Sequence, residues 1–179
     1  YPTSLRPDVR FFWSADPDLE ALSLELRTTL AHSPFGRYQS LALIVHSMGG
    51  LVAQRALLDA RTADRIGHLV MFGTPSGGLY KAFLGYVFHR QSRDMTTDSV
   101  FIRDLRAAWT SAYSTHVPFR LRAVAGDRDE FVPRTSSLDP FPDQLRAIVP
   151  GDHLQIVKPT SRDSLSVKVV TELLLPPLP

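Results

Sequence analysis

Ser47, Asp129 and His153 follow one another along the chain, and each stands just past an apolar run. A serine hydroxyl is a weak nucleophile. It attacks a carbonyl when a base takes its proton and a carboxylate orients that base. Ser47 lies in His46-Ser47-Met48-Gly49-Gly50, after the run Leu41 to Val45 and before the apolar-periodic positions Leu51, Val52, Ala56 and Leu57. A strand that becomes a helix over about two residues needs a tight turn whose apex residue has positive φ. Such a turn lifts Ser47 Oγ out of the sheet, and the Met48 backbone N–H, at the positive helix end, would face a developing oxyanion. The motif by itself also fits a plain helix N-cap at Ser47.

The acid and the base come later. Asp129 sits in Gly126-Asp127-Arg128-Asp129-Glu130-Phe131-Val132-Pro133, and His153 in Gly151-Asp152-His153. Asp127 is a competing acid from the same loop, with a turn cap as its other role. Asp152 is expected to bond its own loop backbone. His46 is expected to pack beneath the turn, because neighbouring side chains on a tight turn diverge. His32, His68, His89 and His116 belong to no constellation. No clustered ligand set or H-E-x-x-H pattern exists, so no metal or cofactor is expected. Lys158 is expected to form an ion pair, for instance with Asp163.

The elements that would position these groups alternate. A strand is expected over Asp8 to Trp13, then a helix capped by Asp16 with Pro17 in its first turn, running to about Ala31 on Leu19, Leu22, Leu24, Leu26 and Leu30. Leu41 to Val45 reads as a fully buried strand, with its helix ending near Asp59-Ala60. Ile66 to Phe72 is another buried strand, closed by Gly73-Thr74-Pro75-Ser76-Gly77-Gly78. A helix is expected from about Ser99 to Tyr113, strands over Phe119 to Ala125 and Leu145 to Val149, and a closing helix over Ser164 to Leu175. That last helix would turn Leu165, Val169, Val170, Leu173 and Leu174 inward. Alternation of this kind predicts an α/β fold, a mostly parallel sheet with helices on both faces, in one domain over 1–179. Reactive groups then gather at the carboxyl ends of the strands.

Four ordered segments carry a resemblance. Val45-His46-Ser47-Met48-Gly49 resembles the G-x-S-x-G nucleophile elbow of α/β-hydrolases, with Val45 in place of the first glycine. Gly126 to Pro133 is similar to their G-x-x-D-x-x-V-P segment, and Gly151-Asp152-His153 to their histidine segment. Gly73-Thr74-Pro75 with Gly78 is similar to the G-T-P-x-x-G of a lipase-like branch that includes GPI inositol-deacylase-like and serine-active-site-containing hydrolases. The resemblance implies the α/β-hydrolase fold, possible loss of N-terminal strands, and a triad of Ser47, Asp129 and His153 with Met48 N–H as an oxyanion donor. Asp129 is favoured over Asp127 by its place in the pattern. The residues between strands, about 79–115, are where the resemblance puts a lid or cap. It also implies an upstream strand and an H-G-x-x-G-like loop carrying a second oxyanion donor. That pair is not found here, and the expectation is a longer natural chain.

Composition adds limits. The chain has 179 residues, 44% hydrophobic and 21% charged, with a formal charge of +2, and its arginines are scattered without the basic stripe of a nucleic-acid binder. There is no cysteine, and so no disulfide. No apolar run reaches the ~18 residues of a membrane span, which leaves peripheral membrane contact open and makes the cytoplasm the default expectation. The expected activity is hydrolysis of a small carboxylic ester, lipid-like if the aromatics Tyr80 to Phe88 and Trp109 line an acyl site. Amides and thioesters are further substrate options. The alternative is a catalytically impaired hydrolase-fold module that serves interaction or regulation in a larger protein.

Overall fold

The computed structural model describes residues 18–79 and 95–175. The strand expected at Asp8 to Trp13, the cap at Asp16 and the aromatics Tyr80 to Phe88 lie outside them. Four parallel strands form one sheet in sequential order: β1 (Leu41–His46), β2 (Ile66–Phe72), β3 (Arg120–Gly126) and β4 (Arg146–Val149). Leu43 lies opposite Leu69 and Leu69 opposite Leu121, so same-face apolar side chains run across the sheet. The helices are α1 (Leu19–Ala31), α2 (Met48–Ala56), α3 (Ala60–Ala63), α4 (Val100–Tyr113), α5 (Arg134–Leu138) and α6 (Leu165–Leu174).

Period-two alternation divides the core. Leu69, Met71, Leu121, Ala123 and Ala125 face one side and pack with Leu30 of α1, Ala53 of α2 and Trp109 of α4. Val70, Phe72, Val124 and Val149 face the other side, where Leu173 and the half-buried Val169 and Val170 of α6 cover them. The sheet therefore carries helices on both faces.

Several local expectations change. α1 is capped by Asp18, whose Oδ1 accepts the Ala21 N–H at 2.7 Å. α2 starts at Met48 and ends at Ala56, and Asp59 then caps the separate short α3. β1 is not fully buried: Ala42 and Ile44 are exposed, because among the described residues β1 pairs with β2 alone. Leu24 of α1 points to solvent, and so does Leu165 at the start of α6, where Ser166 is buried instead. Trp109 is a core residue, packed among Tyr113, Phe119 and Phe141 on the face of the sheet covered by α1, α2 and α4. Of the lid-like stretch, 100–113 is the regular helix α4, with Ile102, Leu105 and Trp109 buried. The chain on either side of residues 80–94 is joined by a bridge between Leu79 and Thr96.

Candidate active site

Because all four strands are parallel, the loops that follow them open at one edge of the sheet. Ser47 follows β1 there with φ 54° and ψ −132°, the only non-glycine residue among those described with positive φ. Left-handed backbone costs a residue bearing a Cβ about 1–3 kcal/mol. It persists here because both sides of the turn are fixed. Ser47 N–H donates to the Phe72 carbonyl at 2.9 Å, and Gly50 N–H donates to the Ser47 carbonyl at 3.0 Å. Gly50 lets α2 start close to the loop after β2: a Cβ there would fall 2.0 Å from Thr74 Oγ1. Valine is accommodated at position 45, since even a Cβ added at Gly49 would lie 4.0 Å from Val45 Cβ. Met48 is the first residue of α2, and the leading N–H groups of a helix have no partner within it.

The loop after β3 brings Asp129 to the same edge, with its side chain fully buried. Its Oδ1 accepts two backbone N–H groups, from Phe131 at 3.0 Å and Val132 at 2.9 Å. Its Oδ2 accepts the Nδ1–H of His153 at 2.8 Å. A carboxylate cannot donate, so the ring proton lies on Nδ1, and Nε2 is left to accept from Ser47 Oγ–H at 3.0 Å. Ser47, His153 and Asp129 are thus joined in one hydrogen-bonded row.

Asp127 stands apart from that row. Its Oδ1 accepts the Gly151 N–H at 2.8 Å, while Arg128 N–H donates to the Gly151 carbonyl at 3.2 Å. Asp127 therefore ties the two loops together. Asp152 accepts the N–H groups of Leu154 and Gln155, as expected, and these bonds hold its carboxyl below the usual range, Gln155 foremost. Lys158 has no ion pair with Asp163; it is exposed beside Pro150 and Gln155.

One contributor was not foreseen, and one residue expected to pack beneath the turn does more than pack. Gly73, at the end of β2 with φ 50°, lies directly below the Asp–His pair. A Cβ there would sit 3.0 Å from Asp129 Oδ2 and 3.1 Å from His153 Nδ1. Its place in the G-T-P segment was the available signal. His46 packs against His153, as the second finding, with ring centroids 4.5 Å apart. Its Nε2–H donates to the His153 main-chain carbonyl at 2.8 Å. Burial first, then the charge of His153, holds its imidazole below the ordinary histidine value. Phe131 completes the surroundings, its ring 5.6 Å from that of His153 and partly exposed.

Behind α2, Gln54 is fully buried and donates to Ser76 Oγ at 3.0 Å and to the Gly50 carbonyl, while accepting from Arg106. Burial brings Arg106 down to about 10. No ion pair reaches it among the described residues, and it lies over the rings of Trp109 and Phe141. The described residues contain no group of three or more potential metal ligands.

The parallel sheet with helices on both faces has the α/β-hydrolase fold. Solved structures share it. The chain is similar to the phospholipase PlaB from Legionella pneumophila in complex with thio-NAD, with a TM-score of 0.54 and 16% identity over 68% of this chain and 29% of that one. It is also similar to a structure from work on carboxylesterases of the thaumarchaeon Nitrososphaera gargenis, with a TM-score of 0.52 and 15% identity over 79% of this chain and 67% of that one. The chain thus spans less than a third of the length of the phospholipase. No family model and no curated protein sequence matches it. The likeness is one of fold.

Proposed function

We propose that the chain is a serine hydrolase that cleaves carboxylic esters, with Ser47 as nucleophile, His153 as base and Asp129 as its orienting acid. The observation that carries this reading is the continuous row from Ser47 Oγ through His153 to Asp129, at 3.0 and 2.8 Å. His153 Nε2 takes the Ser47 proton as Oγ attacks the ester carbonyl. The imidazolium that forms is balanced by the buried Asp129 carboxylate. The tetrahedral oxyanion lies against the Met48 N–H at the start of α2. His153 returns the proton to the leaving alcohol, and a water activated by the same nitrogen releases the acyl group.

A small apolar or lipid-like ester is the proposed substrate. The described phospholipase and carboxylesterase neighbours support ester chemistry on this fold, and the G-T-P-x-x-G segment supports the lipase-like branch with GPI inositol-deacylase-like members. Among the described residues no helix is long and apolar enough to cross a membrane, and the proposed lipid contact is peripheral. The test is covalent labelling by a fluorophosphonate probe together with hydrolysis of p-nitrophenyl esters. Ser47→Ala is expected to abolish both. Labelling that survives in Ser47→Ala refutes the assignment of the nucleophile.

A further inference from the structure

We propose that His46 is a positioning residue for His153: its Nε2–H pins the main chain of the loop that carries the base. The inference rests on the serine-hydrolase reading. The loop after β4 is held at Gly151 from β3's side by Asp127 and Arg128, and beyond His153 by Asp152, which bonds Leu154 and Gln155. Residue 153 itself is held from the opposite direction. His46 ends β1, and its ring reaches the His153 carbonyl at 2.8 Å while lying 4.5 Å from the His153 ring, tilted by 42°. Two adjacent residues at the end of β1, His46 in the strand and Ser47 in the turn after it, therefore set both ends of the reacting distance. Ser47 supplies Oγ, and His46 fixes the backbone from which Nε2 reaches it.

The chemistry of the contact follows from the partners. A carbonyl only accepts, so His46 carries its proton on Nε2 and that nitrogen is occupied. Nε2 of His46 therefore serves as a donor to the loop and not as a base toward Ser47. The charged groups felt by His46 are His153, Asp129 and Lys158. Burial and His153 favour its neutral form, which spares the forming His153 imidazolium a second cation beside it. A leucine at this position would fill similar space but leave the His153 carbonyl without its donor. A glutamine would keep a donor at comparable reach.

The experiment compares wild type, His46→Leu and His46→Gln in the whole chain, with p-nitrophenyl acetate turnover, circular dichroism and proton NMR of the His153 Nδ1–H. Misplacing a reacting group by about 1 Å costs on the order of 10²-fold. His46→Leu is accordingly expected to lose about 10- to 100-fold in kcat with KM changed by less than about threefold. His46→Gln should recover most of that loss. The downfield Nδ1–H signal should persist in wild type and His46→Gln and broaden or vanish in His46→Leu. Wild-type kcat and an intact signal in His46→Leu would overturn the proposal. So would a folded His46→Gln as impaired as the leucine variant. A wild-type chain unreactive to the fluorophosphonate would overturn the hydrolase reading alone, because the NMR contrast still decides whether His46 holds His153.

Discussion

Replacing Gly73 by alanine tests the geometry most directly, because the substitution adds one methyl group and replaces none of the three side chains of the row. Two costs follow from the structure. The first is backbone: at φ 50° an L side chain is strained by about 1–3 kcal/mol. In a chain of this size Tm falls by about 2–4 °C per kcal/mol. The second cost is steric. The new Cβ would stand 3.0 Å from Asp129 Oδ2 and 3.1 and 3.2 Å from His153 Nδ1 and Cε1, closer than ordinary van der Waals contact. Asp129 cannot retreat, since the N–H groups of Phe131 and Val132 hold its other oxygen. His153 must give way, by a few tenths of an ångström or by rotating, which degrades its approach to Ser47. A loss of about 10-fold or more in kcat is expected, up to the order of 10²-fold if the ring moves by about 1 Å. Ester turnover and fluorophosphonate labelling should fall together, while circular dichroism reports a folded chain. A folded Gly73→Ala variant with kcat within about twofold of wild type would refute this reasoning, because His153 and Asp129 would then have room the geometry denies them.

Three further outcomes are expected. Asp129→Ala should lower ester turnover by about 10³- to 10⁴-fold, whereas Asp127→Ala should mainly destabilise, by about 1–3 kcal/mol for the orphaned Gly151 N–H. Turnover and urea unfolding of the two variants separate the roles, and the reverse ranking would reassign the acid. Ser47→Gly should abolish labelling while raising stability by about 1 kcal/mol through release of the positive-φ strain, read as a higher Tm. For His46, the folded value lies below the unfolded one, so the unfolded chain binds the proton more readily. Its share of stability is complete above about pH 6.5 and is lost as pH falls toward its lower folded value. Thermal midpoints of wild type should therefore drop across that window more steeply than those of His46→Gln.

Much of the scaffold was legible because its signals are local. The continuous apolar run of β2 gave bounds matching the observed Ile66–Phe72, and Ser99 caps α4 through its bond to the Ile102 N–H. The order of elbow, aspartate loop and histidine loop likewise pointed to the residues that the structure joins. What failed depends on neighbours distant in sequence. The run Leu41–Val45 looks buried by composition, yet Ile44 is about half exposed at 53%, and among the described residues β1 pairs with β2 alone. Trp109 invited a place beside substrate because aromatics suit apolar ligands, but the apolar stripe of α4 turns it into the core. Gly73 is marked only by its place in the G-T-P segment, and His46 carries no local mark of its bond to the His153 carbonyl, 107 residues further along the chain.

The sequential strand order has a consequence for how the protein matures. Ser47 leaves the ribosome with β1, but Asp129 and His153 arrive only with the last two strands, and His153 must then reach back over β3 and β2 to the first. On the proposed assignment, a nascent or prematurely terminated chain that stops before β4 would carry the Ser47 hydroxyl without the His153 base that activates it. Ser47 would then gain its reactivity only as the sheet is completed, so activity and correct folding would be acquired in the same step.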